Sequence, residues 1–132
     1  APQSQGGAME PKTVLVVDDH GPTRQAYAAY LTDCGFHVVE AAHGGEAILH
    51  THRHNPAVVL MDLLMPVLDG IDTAESLREH RTTAGTRILG VTGSQSMVER
   101  ARLRGVCDDV LLKPCPPELL AERVRLLAGH AS

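Results

Sequence analysis

Ala57-Val58-Val59-Leu60-Met61-Asp62-Leu63-Leu64-Met65-Pro66 decides the fold of this chain. The apolar run lacks period-two alternation, stops at one carboxylate and breaks at a proline, the pattern of a strand buried on both faces of a parallel sheet. Asp62 therefore sits where a strand leaves the core. In open α/β sheets the carboxyl ends of the strands border the crevice that binds ligands, so a carboxylate delivered there is a candidate for chemistry.

Outward from this strand the same signals repeat. Thr13-Val14-Leu15-Val16-Val17 reads as a buried strand ending in Asp18-Asp19, His37 to Ala41 as a second, Arg87 to Thr92 as a fourth, and Asp109 to Leu112 as a fifth that ends at Lys113-Pro114. Between them lie helical patterns. Tyr27, Tyr30, Leu31 and Cys34 recur at i, i+3, i+4, i+7, with Thr23 the expected N-cap and Gly35 the stop. A second helix is expected from about Gly44 to His52 with Gly44, Ala47 and Ile48 inward. A third runs from about Ile71 to His80 on Ala74 and Leu77, after a loop from Pro66 to Gly70. Ser94 to Arg104 carries an untidy stripe of Met97, Val98, Ala101 and Leu103, so this helix is expected to be the least firmly held. Pro116-Pro117 leads into a last helix on Leu120, Val124 and Leu127.

Five strands alternating with five helices imply a single-domain α/β fold, a (βα)5 doubly wound parallel five-stranded sheet with right-handed crossovers. Residues 12–129 are assigned to this domain. Residues 1–11, rich in Gln, Ser, Gly and Pro, are assigned to a flexible tail or linker, and residues 130–132 to a second tail.

Composition narrows the function. A formal charge of -4 with scattered Lys and Arg gives no basic stripe for nucleic acid. No apolar run approaches the ~20 residues of a membrane span, so no membrane partner and a cytoplasmic location are expected. Cys34, Cys107 and Cys115 show no CxxC spacing and are read as free thiols of a reducing compartment, with Cys115 a small packed residue. The three aromatics, Tyr27, Tyr30 and Phe36, share one early segment, so the core must be aliphatic. His50, His52 and His54 are read as a solvated run and not as a metal site, because no carboxylate or thiol completes the set. Asp69, Asp72, Asp108 and Asp109 stand in turn or helix-start contexts and are read as structural.

The strand ends collect Asp18, Asp19, Asp62, Thr92 and Lys113. Three converging carboxylates cannot all stay ionised without a cation, and an all-oxygen set favours Mg²⁺. Asp18, Asp19 and Asp62 are the expected metal ligands, Asp19 directly and Asp18 through water, with the Leu64 backbone carbonyl as a further oxygen. Lys113 supplies a point charge for anionic oxygens and Thr92 a hydroxyl donor. A carboxylate so placed can attack phosphorus, which makes Asp62 the expected nucleophile and an aspartyl phosphate the product.

The stretches VLVVDD (Val14 to Asp19), Arg24 five positions after Asp19, VVLMDLLMPVLDG (Val58 to Gly70), VTG (Val91 to Gly93) and LLKP (Leu111 to Pro114) follow one another in order. Together they resemble a response-regulator receiver domain of two-component signalling over about Lys12 to Ala128. The resemblance implies a flavodoxin-like fold with strand order 2-1-3-4-5 and a cis peptide at Lys113-Pro114. It implies phosphorylation of Asp62 by a phosphohistidine on a histidine kinase or histidine phosphotransfer protein. It also implies a switched surface for a downstream protein target or fused effector. On this reading the chain is a signalling phosphoacceptor, not an enzyme acting on an outside substrate, and catalyses only its own phosphorylation and dephosphorylation.

Three positions depart from the family pattern. Val110 replaces an inward-swinging Tyr or Phe, Gly93 a commoner Ala, and Leu64 an often polar side chain. Two alternatives follow. One is a constitutive, phosphorylation-independent binding module, which the missing ring at Val110 leaves open and which the presence of every acid, hydroxyl and lysine needed for phosphorylation opposes. The other is a phosphatase of the haloacid dehalogenase type, which resembles its relatives in a second Asp two residues after the nucleophile; here that position is Leu64. A dinucleotide or flavin protein would need a phosphate-binding loop after the first strand, where Asp18-Asp19 would repel phosphate.

Overall fold

The computed structural model describes residues 10–129. The assigned tails at residues 1–9 and 130–132 lie outside that range, and Glu10 and Pro11 are exposed without regular structure. The order is β1 (Thr13–Val17), α1 (Gly21–Asp33), β2 (His37–Ala41), α2 (Gly44–His54), β3 (Val58–Asp62), α3 (Gly70–Glu79), β4 (Arg87–Thr92), α4 (Gln95–Arg104), β5 (Asp109–Leu112) and α5 (Pro117–Ala128). All pairings are parallel, in the order β2-β1-β3-β4-β5 that the family resemblance implied. The Lys113-Pro114 peptide is cis.

Strand alternation divides the core into two layers. Leu15, Val17, Val59, Met61 and Ile88 point to the side covered by α2, α3 and α4 through Ala47, Ile71, Ala74, Leu77, Met97 and Ala101. Val14, Val16, Val58, Leu60, Leu89, Val91 and Leu111 point to the side covered by α1 and α5 through Leu31, Leu120, Ala121 and Val124. Aliphatic side chains thus fill both layers, with Phe36 the aromatic contribution to the buried set.

Helix boundaries follow local chemistry, with corrections to the reading above. The N-cap of α1 is His20, not Thr23: the imidazole Nδ1 accepts the Thr23 N–H at 3.3 Å, and Thr23 lies in the first turn behind Pro22. Helix α2 runs two residues beyond His52, until Asn55 adopts the left-handed conformation (φ 47°) that Asn tolerates better than most residues. Asp69 caps α3 by accepting the Asp72 N–H at 2.8 Å, and Ser94 caps α4. Leu103 is 88% exposed and does not belong to the α4 stripe. Met97, Val98 and Ala101 set that face, and a period of 3.6 carries it past 103 to 104 and 105.

Two glycines set how β3 meets its surroundings. A Cβ on Gly70 would lie 2.5 Å from the Asp62 carbonyl oxygen and 2.6 Å from Leu63 Cα, both backbone atoms that cannot rotate away. A Cβ on Gly90 would meet the buried Leu63 side chain at 2.9 Å, so β4 leaves the room that Leu63 fills. Gly85, by contrast, has open space around it. Gly70→Ala is expected to cost about 2 kcal/mol or more, by overpacking against backbone. Gly85→Ala should stay within about 0.5 kcal/mol of the parent. Urea unfolding of the two variants measures the contrast, and equal midpoints would contradict it.

Candidate functional site

The strand register assembles the site. Val17 pairs with Met61, Asp62 with Val91, and Thr92 with Leu112, so neighbouring strands end within one residue of each other. Asp18, Asp62, Thr92 and Lys113 consequently reach one edge, with Asp19 beside Asp18. Asp18, Asp19 and Asp62 each offer an oxygen within 4.8 Å of the others. The Asp18 side chain is 2% exposed and that of Asp62 13%, while Asp19 is exposed. Lys113 Nζ stands 3.8 Å from Asp62 Oδ2 and 3.9 Å from Asp18 Oδ2, charge contacts longer than hydrogen bonds.

One local device recurs at three strand ends. Asp18 Oδ1 accepts the His20 N–H at 2.9 Å, Asp62 Oδ1 the Leu64 N–H at 3.0 Å, and Thr92 Oγ1 the Ser94 N–H at 3.1 Å. Each is a side chain bonded to the backbone two residues on, a turn that Asp and Thr form readily at the end of a strand. The consequence is directional. Both aspartates spend Oδ1 on the backbone and face Lys113 with Oδ2, and the Thr92 hydroxyl, acting as acceptor, keeps its hydrogen to donate.

Burial pushes the Asp62 carboxyl above the usual range; the Leu64 N–H and Lys113 pull it down, while Asp18 and Asp19 push it up again. Three acids against one lysine leave the cluster short of positive charge. The donors are all hard oxygens, so Asp18, Asp19 and Asp62 fit a small divalent cation such as Mg²⁺.

The surroundings differ on the two flanks. Toward α1 and α5 a recess of about 470 Å³ is lined by Thr23, Tyr27, Lys113, Pro114 and Cys115. The Tyr27 phenol is pushed upward by burial first and then by Cys115, Asp18 and Asp62. On the other flank the loop after β3 turns tightly, with the Leu68 N–H donating to the Pro66 carbonyl at 2.8 Å and Val67 at φ 68° between them. Leu64 is 62% exposed at the start of that loop.

The residues set aside as structural are so placed. Asp108 accepts from Arg78 at 2.8 Å and from the Ile88 N–H at 2.7 Å, and Asp109 pairs with Arg123 at 2.6 Å. His50 lies beside His54 with the rings tilted, and His52 meets His80 edge-on, but among the described residues no set of three ligand groups forms outside the aspartates. The Cys107 thiol is pushed up to about 11 by burial, and burial also raises that of Cys115, neither a reactive setting. Gly70, Tyr27 and the side-chain bonds of Arg24 are parts of the site region that the linear reading did not assign.

The model of the response regulator receiver domain matches residues 14–125. The chain belongs to that family. Receiver domains are signalling domains of two-component systems, and this one is similar to several known proteins. It is 34% identical to the transcriptional regulatory protein SrrA of Staphylococcus aureus over 115 residues, covering 86% of this chain and 46% of that protein. The chain thus spans about half the length of the curated relatives it matches. Among solved structures, a response regulator receiver protein from Pseudomonas putida is 31% identical with a TM-score of 0.81, covering 91% of this chain and 99% of that one. The receiver domain of a sensor histidine kinase from Pseudomonas aeruginosa, crystallised with magnesium in its active-site cleft, is 26% identical with a TM-score of 0.83, covering 90% and 98%. Among the described residues of this receiver domain, no helix is long and apolar enough to cross a membrane.

Asp62→Asn is expected to raise the melting temperature at pH 7. A carboxyl whose folded pKa lies above its unfolded value of about 4 is destabilising when ionised, and that penalty is fully present only above the folded pKa. The gain should therefore shrink as the pH falls through the folded value toward about 4. Thermal melts of both proteins across this range, without divalent metal, measure it. A gain that grows on acidification would contradict the sign.

Proposed function

We propose that Asp62 accepts a phosphoryl group from a phosphohistidine on a histidine kinase or histidine phosphotransfer protein, and that the modified domain presents an altered surface to a protein target or fused effector. The observation that supports this most directly is the pair of Oδ2 atoms on Asp18 and Asp62 turned toward Lys113 while backbone N–H groups hold Oδ1. The free Asp62 oxygen forms the O–P bond as the P–N bond to the donor breaks, and the imidazole nitrogen keeps the electron pair. Lys113 neutralises charge on the transferred oxygens, and the Thr92 hydroxyl donates a hydrogen bond to one of them. Asp18, Asp19, Asp62 and the Leu64 carbonyl would hold Mg²⁺, with Asp18 acting through water. When bound, the ion supplies further neutralisation of the phosphoryl oxygens. We assign this activity to residues 12–129 and to the cytoplasm.

Val110 is half-buried against the layer under α2 to α4 and offers no ring to swing inward. The signal is therefore proposed to pass through Thr92, Gly93 and α4. Gly93 has open space where a Cβ would sit, which leaves room beside the phosphate. A constitutive binding module would show no amide shifts in α4 on adding beryllofluoride and Mg²⁺, whereas the proposed switch shows them beyond the pocket.

Incubation with acetyl phosphate and Mg²⁺, followed by intact-mass measurement, should add one acid-labile phosphate to the parent and none to Asp62→Asn. Labelling of the variant at the parental rate would overturn the assignment. The lifetime of the phosphate is expected to be long for this fold, because Leu64 places an apolar side chain where water must approach in line with phosphorus. Leu64→Asn should speed first-order decay roughly tenfold by giving that water a hydrogen-bond partner. Decay no faster than the parent would remove Leu64 from control of hydrolysis.

A further inference from the structure

Asp19 differs from the other two acids of the cluster. Asp18 and Asp62 are anchored by backbone N–H groups two residues on, whereas the Asp19 carboxylate is exposed and has no hydrogen bond or ion pair among the described residues. Its place depends on the peptide planes that carry it. The plane that precedes it contains the Asp18 carbonyl, and Arg24 holds that carbonyl: its Nη1 donates to Asp18 O at 2.9 Å. The Nε of the same guanidinium donates to Glu40 Oε1 at 2.9 Å, and the Arg24 side chain is 17% exposed. Glu40 lies on β2 opposite Val16, and the adjacent Ala41 carbonyl accepts the Asp18 N–H at 3.1 Å. Arg24 itself is fixed in the first turn of α1, its N–H bonded to the His20 carbonyl at 3.0 Å. The Asp18 residue is thus clamped through its N–H by the β2 backbone and through its C=O by an arginine that β2 orients.

We infer that Arg24 is a positioning residue for the divalent cation: it fixes the Asp18-Asp19 peptide plane and thereby aims the Asp19 carboxylate. The inference rests on the reading of the acidic cluster as an Mg²⁺ site. Arginine suits the task because its rigid planar fork holds Nε and Nη1 in fixed directions toward two acceptors, whereas the three donors of lysine share one nitrogen on a flexible stem. Position and charge act with opposite sign here. A cation near the site repels Mg²⁺, so removing its charge alone would tighten binding; losing the clamp loosens it.

Titration calorimetry of Mg²⁺ into the parent, Arg24→Lys and Arg24→Ala separates the two. We expect one site in the parent, affinity about tenfold weaker in Arg24→Lys, at the lower end of what losing a ligand-orienting partner costs a metal site, and a smaller loss in Arg24→Ala, where removing the charge offsets part of the lost clamp. Arg24→Lys keeps the charge and the helix, so it carries the test if Arg24→Ala fails to fold. Parental affinity in Arg24→Lys, or tighter binding in Arg24→Ala, would overturn the positioning role while leaving the metal site standing. Failure of the parent to bind Mg²⁺ would overturn the reading of the cluster, and this inference with it.

Discussion

Three carboxylates share a space less than 4.8 Å across with one lysine to answer them, and the rest of the structure is arranged around that imbalance. Charges so placed repel one another, and burial of Asp18 and Asp62 deepens the cost because water cannot screen them. What holds them is mostly backbone. The N–H groups of His20 and Leu64 each satisfy one oxygen, and the strands behind them end in register, so neither Asp18 nor Asp62 can withdraw without breaking its own turn. Behind the turns lie two aliphatic layers, and their burial is the favourable term against which the local repulsion is set.

Much of this is visible in the linear chain. Buried parallel strands read as nearly unbroken apolar runs, so β1, β3, β4 and β5, and the polar residue at the end of each, can be found without coordinates, whereas the edge strand β2 carries exposed His37 and Glu40 and rests on the short Val38-Val39 pair. Helix edges are less legible because one side chain decides them: His20 takes the cap that Thr23 suits by residue type, and Asn55 lets α2 run on to His54. Leu63 and Leu64 are neighbours of identical chemistry, yet one is fully buried under Gly90's missing side chain and the other is 62% exposed. That difference belongs to the direction of the chain as it leaves the sheet.

The site shows the same division. Its residue types and their order along the chain suffice to name Asp18, Asp19, Asp62, Thr92 and Lys113, because each falls at the end of an apolar run or beside one. Their mutual geometry depends on sheet register. The role of Gly70 appears only when its backbone is seen against the Asp62 carbonyl, and the bond from Arg24 to Glu40 spans 16 residues between a helix and an edge strand. Contacts of that range have no local signature.

The place of the tyrosines carries a practical consequence. The chain has no tryptophan and two tyrosines, both on α1. Tyr30 feels Glu118 and Cys34, whereas Tyr27 lines the recess beside Lys113 and feels the charges of Asp18 and Asp62. Near-ultraviolet emission from this domain therefore comes from two rings, of which Tyr27 lines the recess beside Lys113. A change in the recess beside Lys113 thus falls on one of the two rings that give the domain its emission.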